Sequence, residues 1–165
     1  MHRYIHYIFY HIVSIFSTLY LIITLKYDII STCIKTWGDF MDFFQLNAGA
    51  LAYLGDAVLE ALIREALILK GLQKSANLNK EALKYVTAVN QCLAFKNIQE
   101  ALTEDEGAIF NRGKNCSHLN IPKSASPVEY KTATGFEAIF GYLHLKKDTQ
   151  RIKELFSMAY PDIDN

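Results

Sequence analysis

The sequence predicts an all-α fold, and three observations support this class. Apolar residues recur at intervals of three and four over several long stretches, which is the spacing of one face of a helix. Only three prolines and eight glycines occur among the 165 residues, so long helices need few interruptions. No stretch alternates apolar and polar residues as a half-buried strand would. A helical bundle of ordinary domain size is therefore expected.

The composition excludes a disordered chain and a uniformly basic nucleic-acid binder. Hydrophobic residues make up 51% of the chain, charged residues 21%, and 17 basic residues balance 17 acidic ones. Any contact with phosphates must then come from a local patch of charge. The three cysteines, Cys33, Cys92 and Cys116, are widely spaced and odd in number. This pattern disfavours a disulfide framework and a zinc site and predicts the reducing cytoplasm as the compartment.

The first forty residues form an apolar leader, and the catalytic part of the chain is expected at 41–165. Residues 1–40 contain nine isoleucines and no alanine, whereas residues 41–165 contain sixteen alanines. No charged residue occurs from 4 to 25, and 22 residues are enough to cross a bilayer. Histidines and hydroxyl residues interrupt that stretch, and it lacks a secretory cleavage site. Three interpretations stay open: a mis-assigned start upstream of Met41, a membrane-associated segment, or a core helix.

Capping residues and turns divide the rest of the chain into helices. The first predicted helix covers residues 47–70, with Asn47 as its N-cap and a glycine directly after its C-terminus. The second opens at Asn77 or Asn79 and runs toward Leu102.

Three further segments follow. Thr103 and Glu106 form a capping box that starts a short third helix. Residues 114–127 contain two prolines and three serines without periodicity and are predicted to be a loop. The fourth helix covers about 128–146, and Asp148 caps a last helix that stops before the final proline.

Two acidic side chains lie on apolar helix faces. At 100° per residue, Asp56 shares its face of the first helix with Ala52 and Ile63, and the opposite face is apolar as well. That helix is therefore expected to be central. Glu137 lies on the fourth helix between Ala133 and Gly141, small residues that leave space above it. A carboxylate in such a place needs a cation or hydrogen-bond donors.

Two interpretations of these acids stay open at this point. In the first, they are structural acids that pair with Lys or Arg from a neighbouring helix. In the second, they converge on a hard cation such as Mg²⁺, which prefers oxygen ligands and shares its coordination with substrate phosphates. No glycine-rich phosphate loop and no Gly-x-Ser-x-Gly motif in the sequence offers a competing chemistry.

Two motifs resemble those of the ribonuclease III family. Residues 51–60, LAYLGDAVLE, are similar to its signature, and residues 134–143, TGFEAIFGYL, are similar to its second acidic motif. The longer enzymes of the family carry further acids where this chain has Ala52 and Thr134. With these departures, and with RGKN at 112–115 before a long loop, the chain resembles Mini-ribonuclease III, a catalytic domain without a double-stranded-RNA-binding domain.

The resemblance implies a ribonuclease III-type helical endonuclease that cuts double-stranded RNA. It implies a homodimer in which each active site hydrolyses one strand with Mg²⁺ and leaves 5′-phosphate and 3′-hydroxyl ends. Asp56 and Glu137 are the implied catalytic metal ligands, and Glu60 supports them without reaching the metal. Tyr53 occupies the place of a family residue that packs across the dimer interface, and the alternative is an ordinary, partly buried aromatic residue. The implied substrate is the stem of precursor 23S ribosomal RNA, with ribosomal proteins or the assembling large subunit as further partners.

A basic stretch before the second motif predicts contact with RNA. Residues 112–131 hold Arg112, Lys114, Lys123 and Lys131 against a single acid. A-form RNA is recognised mostly by its shape and its phosphates, so this stretch is expected to bind the duplex. Replacing its first three cations with Gln should then weaken binding with little effect on stability. The alternative is a solvated loop whose charges contribute little.

Two other functional classes stay open at the level of sequence. One is a catalytically inactive helical domain that binds RNA or the ribosome, which a magnesium-dependent cleavage assay distinguishes from a nuclease. The other is a membrane-tethered helical protein, and that interpretation depends only on residues 4–25.

Overall fold

The computed structural model describes residues 42–116 and 125–164, together with Ile23 and Lys26. The chain divides into two units, Met1–Asp42 and Phe43–Asn165. The predicted leader, apart from those two residues, and the predicted start at Met41 lie outside the described residues. Within the described part, no helix has both the length and the apolar character that crossing a membrane requires.

The described part of the second unit is built from helices. Its described ranges contain no β-strand, so the predicted all-α class is confirmed. The α-helices are α1 (Ala48–Leu69), α2 (Ser75–Val86), α3 (Ala88–Ile98), α4 (Glu104–Lys114), α5 (Pro127–Leu145), α6 (Thr149–Ala159) and the short α7 (Pro161–Asp164). Single 3₁₀ turns cover Phe43–Gln45 and Gln99–Ala101.

The capping signals in the sequence start the helices as predicted. The Asn47 side chain accepts hydrogen bonds from Gly49 N and Ala50 N at 2.8 and 3.3 Å, which satisfies two free N–H groups of α1. Thr103 forms the predicted capping box at the start of α4. Asp148 accepts from the N–H of the third residue of α6 at 3.0 Å. Local hydrogen bonds of this kind depend only on neighbouring residues, so the sequence is sufficient to predict them.

The prediction of one helix from Asn77 or Asn79 to Leu102 is wrong. The segment begins earlier, at Ser75, and is broken at Thr87 into α2 and α3. Thr87 has an extended backbone, with φ −73° and ψ 148°, and its Oγ1 atom accepts the N–H of Asn90 at 3.4 Å. Thr87 thus caps α3, and this competing hydrogen bond stops the apolar spacing from continuing as a single helix.

Helix α5 is the central element of the unit. It packs against α1, α3 and α4, and every residue from Thr132 to Leu143 is buried apart from Glu137. Helix α1 packs along α5, as expected of a central helix, but it leaves Tyr53, Asp56 and Ala57 exposed. Glu137 of α5 therefore lies at the edge of the core, and Asp56 lies on the exposed surface of α1, the helix that crosses α5.

Candidate active site

Two glycines bring the backbones of α1 and α5 into direct contact. A Cβ atom at Gly55 would lie 1.8 Å from the carbonyl oxygen of Glu137, and one at Gly141 would lie 2.0 Å from the carbonyl oxygen of Leu51. Any side chain at either position would push the helices apart. Asp56 directly follows the first glycine, and Glu137 lies one turn before the second. The crossing therefore brings these two carboxylates to the same place.

The two carboxylates line one cavity of about 600 Å³, here called the carboxylate cavity. Ala52 and Thr134, which replace the further acids of the longer enzymes, also line it, so the positions of the missing carboxylates open into the same space. The Thr134 hydroxyl donates to the carbonyl of Tyr130 at 2.9 Å. The residues that line the carboxylate cavity are Gly49, Ala52, Tyr53, Asp56, Val86, Thr87, Ala88, Val89, Gln91, Ala125, Tyr130, Ala133, Thr134 and Glu137.

Both carboxylates of the cavity have raised pKa values, and the charge of Asp56 is one cause of the shift at Glu137. Burial, followed by the charge of Asp56, raises the pKa of Glu137 to about 8 from an ordinary value of 4.5, and the Gln91 amide partly opposes this rise. Asp56 is exposed, yet partial loss of hydration and then the charge of Glu60 raise its pKa too, while Arg64 opposes the rise. Two carboxylates that repel each other are a site that a cation would stabilise.

The sequence left open whether these acids form structural ion pairs with Lys or Arg. In the structure, such an ion pair is formed by a different acid. In residues 42–116 and 125–164, neither Asp56 nor Glu137 has a Lys or Arg within ion-pair distance. The buried acid with a cation is Glu106, whose two carboxylate oxygens each accept from Arg151 at 2.9 Å. Arg151 also donates to the carbonyl of Ala101 at 2.6 Å. This pair joins α4 to α6 and has no part in the carboxylate cavity.

The donor set fits a hard cation that keeps most of its water. The described residues hold no group of three or more His, Cys, Asp or Glu side chains that could bind a metal. Two carboxylates remain, and both present oxygen atoms, which are the ligands that Mg²⁺ takes. Magnesium is commonly held by one or two carboxylates together with waters and substrate phosphates. Asp56 and Glu137 match that pattern.

Glu60 and Tyr53 lie where they can influence the site without holding a metal. Glu60 is half-buried, lies outside the cavity lining and forms an ion pair with Arg64, one turn further along α1, at 2.5 Å. Its charge acts on Asp56 and contributes to the raised pKa of that carboxyl. Tyr53 lines the cavity but leaves 86% of its surface exposed. A large aromatic side chain this exposed is available for contact with another chain.

The predicted RNA-binding cations have different environments. The Arg112 guanidinium donates to the backbone carbonyls of Phe44 and Leu46, the second at 2.6 Å, and lies over the Phe44 ring. It therefore fastens the segment before α1 to α4, and these contacts favour a loss of stability on its replacement over the small effect expected from the sequence. Lys114 lies over the Phe110 ring at 5.7 Å. Of the remaining two cations, Lys131 is exposed on α5, and Lys123 lies outside the described residues.

Gln91 is a polar residue of the cavity that sequence reasoning missed. It is 1% exposed, and its Nε2 atom has no hydrogen-bond partner among the described residues. The only signal in the sequence was a polar residue at a spacing of three and seven from Ala94 and Ile98, the buried positions of α3. A single glutamine in an apolar stripe is too weak a signal to interpret without the fold.

A family model matches the part of the chain that contains both carboxylates. The model of the Ribonuclease III domain matches residues 49–148, which include both carboxylates. The chain therefore belongs to the ribonuclease III family and is an endoribonuclease, as the two motifs predict.

The relatives narrow the identification within that family. The chain is 43% identical over 109 residues to the Mini-ribonuclease 3 of Symbiobacterium thermophilum, covering 66% of this chain and 84% of the relative. It is 40% identical over 126 residues to the Mini-ribonuclease 3 of Streptococcus pneumoniae, covering 75% and 98%. A crystal structure of a Fusobacterium nucleatum protein superposes with a TM-score of 0.64 at 34% identity, covering 71% of this chain and 93% of that one.

The raised pKa of Glu137 predicts how stability depends on pH in the presence of a chelator. The folded state favours the protonated carboxyl, so its contribution to stability is complete below about 4.5 and is lost as the pH rises through about 8. We expect the urea midpoint of the chelated protein to fall between pH 5 and pH 9. Glu137→Gln should flatten this dependence, because the amide does not titrate. Equal slopes in the parent and the variant would show that another group controls the effect.

Proposed function

We propose that this chain cleaves double-stranded RNA as a homodimer, with Mg²⁺ held by Asp56 and Glu137. The observation that carries the proposal is the crossing of α1 and α5, which brings both carboxylates into one cavity without a cationic partner among the described residues. The longer enzymes' further acids are absent at Ala52 and Thr134, so water and RNA phosphate oxygens would complete the coordination.

The chemistry divides between the cation and the protein. A bound Mg²⁺ would lower the pKa of water and neutralise charge that develops on the phosphodiester. Asp56 and Glu137 hold the cation through their ionised carboxylates. The half-buried position of Glu137 limits water around it, which strengthens its interaction with a cation compared with an exposed acid. Hydrolysis would leave 5′-phosphate and 3′-hydroxyl ends.

An exposed apolar strip on α1 supports the homodimer. Tyr53, Ala57 and Ala61 follow one another at helical spacing and are all exposed. Leu93 of α3 is 52% exposed as well. Small and aromatic side chains on one helix allow a second helix to approach closely, and Tyr53 would reach into the partner. A dimer places two sites on one duplex, one for each strand.

The substrate and the cellular context are proposed from the resemblance. The curated relatives carry the name Mini-ribonuclease 3, and we propose for this chain the stem of precursor 23S ribosomal RNA, with ribosomal proteins or the assembling large subunit as further partners. We also propose a cytoplasmic location and a catalytic domain that begins at Met41. Mass spectrometry of the natively expressed protein would test the start, and cell fractionation would test whether residues 4–25 act as a membrane anchor.

The proposed activity is tested by cleavage of a long RNA duplex. We incubate the full chain with end-labelled duplex RNA in Mg²⁺ and, in parallel, in excess chelator. Cleavage of both strands that requires Mg²⁺ supports the proposal. Tight binding without cleavage would instead favour an inactive RNA-binding domain. Cleavage that persists in chelator would show that the reaction does not require the metal. Analytical ultracentrifugation of the same sample tests whether the protein is a dimer.

The three lysines of the basic stretch are expected to contribute to RNA affinity through phosphates. Removing one lysine–phosphate interaction should lower the slope of log affinity against log salt by about 0.7 to 0.9. We expect the triple variant Lys114→Gln, Lys123→Gln, Lys131→Gln to bind duplex RNA more weakly, with a flatter salt dependence in a filter-binding titration. Lys153→Gln on α6, which lines a separate groove, is the matched control. An unchanged salt slope would place the RNA surface elsewhere.

Arg112 is expected to act on stability instead of RNA binding. Arg112→Gln removes hydrogen bonds from a charged donor to two backbone carbonyls, which costs about 1–3 kcal/mol in unfolding free energy. Urea unfolding measures the loss, and RNA affinity at a temperature where the variant is folded should stay near that of the parent. A variant with unchanged stability and weakened RNA binding would return Arg112 to the RNA surface.

A further inference from the structure

The buried face of α3 carries one polar side chain where an apolar residue would ordinarily pack. Its buried positions are Gln91, Ala94 and Ile98, and α3 packs on the central helix α5. The first turn of α3 holds Gln91 firmly, since its backbone N–H donates to the carbonyl of Thr87 at 2.8 Å. A buried amide is costly unless its donors and acceptors are used, so this position calls for a polar partner.

The partner within reach of the Gln91 amide is the carboxylate of Glu137. Both side chains line the carboxylate cavity, and the amide interacts with that carboxylate as a donor. The Nε2 atom is nevertheless buried without a hydrogen bond of standard geometry to any described residue. Gln91 therefore contributes an unsatisfied donor to the cavity that Glu137 also lines.

We propose that Gln91 is a positioning residue that donates a hydrogen bond to one carboxylate oxygen of Glu137 and so turns the other oxygen toward the cation. This inference rests on the proposed function, in which Glu137 holds Mg²⁺. Groups that hydrogen-bond to metal ligands fix the ligand's orientation, and their loss commonly weakens metal affinity 10- to 100-fold. A site with only two protein carboxylates depends strongly on the orientation of each.

Gln91→Met tests the inference, since methionine is close to glutamine in length and lacks the donor. We expect Mg²⁺ affinity, measured by isothermal titration calorimetry on the full chain, to fall about 10-fold. The Mg²⁺ concentration for half-maximal cleavage should rise in the same proportion, whereas duplex-RNA affinity in chelator should not change. The thermal midpoint in chelator should change little, because methionine fills the space of the glutamine side chain and buries apolar atoms in its place. Gln99→Met, at an exposed position, is the matched control.

The other outcomes overturn the inference in distinguishable ways. Unchanged Mg²⁺ affinity with a lower thermal midpoint would make Gln91 a packing residue, and Gln91→Leu, a second apolar replacement, would have to give the same result. Weaker RNA binding with unchanged Mg²⁺ affinity would indicate that the Gln91 amide contacts the RNA and not Glu137. A parent protein that neither binds Mg²⁺ nor cleaves RNA would overturn the proposed function itself, and the assignment of Gln91 with it.

Discussion

Asp56→Asn is expected to abolish cleavage of duplex RNA and to leave the fold intact. The amide has nearly the shape of the carboxylate but is a much weaker ligand for Mg²⁺. Loss of a metal that stabilises the transition state by several kcal/mol corresponds to at least a ~100-fold slower reaction. Single-turnover cleavage at saturating RNA measures the effect, and circular dichroism reports the fold.

The same variant should not be less stable than the parent in chelator. The charge of Asp56 raises the pKa of Glu137, so removing that charge removes a repulsion from the folded state. Glu65→Gln, an exposed acid on the same helix that lines a separate groove, should cleave at the parental rate. Full activity of Asp56→Asn would end the assignment of this residue as a ligand, and loss of helicity would make it a structural acid.

Gly55→Ala is expected to destabilise the fold strongly. The new Cβ would meet the carbonyl oxygen of Glu137 at 1.8 Å and the backbone nitrogen of Gly141 at 2.8 Å. These are backbone atoms, so the helices themselves must separate. Overpacking of this kind costs typically about 1–3 kcal/mol and more when the backbone cannot yield, so we expect about 3 kcal/mol or more in urea unfolding.

The matched control is another glycine inside a helix. Gly107 of α4 has no atom within 4 Å of an added Cβ, so Gly107→Ala should be neutral or stabilise by up to about 1 kcal/mol. Any Gly55→Ala protein that folds should also cleave slowly, because separated helices move Asp56 away from Glu137. A variant as stable and active as the parent would show that the contact between α1 and α5 is looser than described.

Local signals in the sequence were sufficient for most helix boundaries. Asn47, Thr103 and Asp148 were each predicted as caps and each accepts the expected backbone N–H groups. Gly71 follows α1 with a φ of 91°, the left-handed conformation that glycine adopts without steric cost. The break at Thr87 was missed because apolar spacing continues across it, and a single threonine cap is a weaker signal than that periodicity.

The motifs identified the family and singled out two acids, but the surroundings of those acids depended on tertiary structure. From the sequence, Asp56 and Glu137 could equally be structural acids in ion pairs. The fold places the buried ion pair at Glu106 and Arg151 and leaves the two cavity acids repelling each other. The role assigned to Arg112 differs most between sequence and structure. The backbone carbonyls that it binds lie 66 and 68 positions away in the chain, which the sequence does not reveal.

The sequence by itself determined the fold class, the family and the identity of the two acids, because helix periodicity, caps and short motifs are properties of neighbouring residues. Only the tertiary structure decided that Gly55 and Gly141 are contact points between helices, that Glu137 is the less exposed acid, and that Gln91 lies beside it. Burial and long-range contacts arise when distant segments pack together, and they in turn set the pKa values and hydrogen bonds on which the site depends.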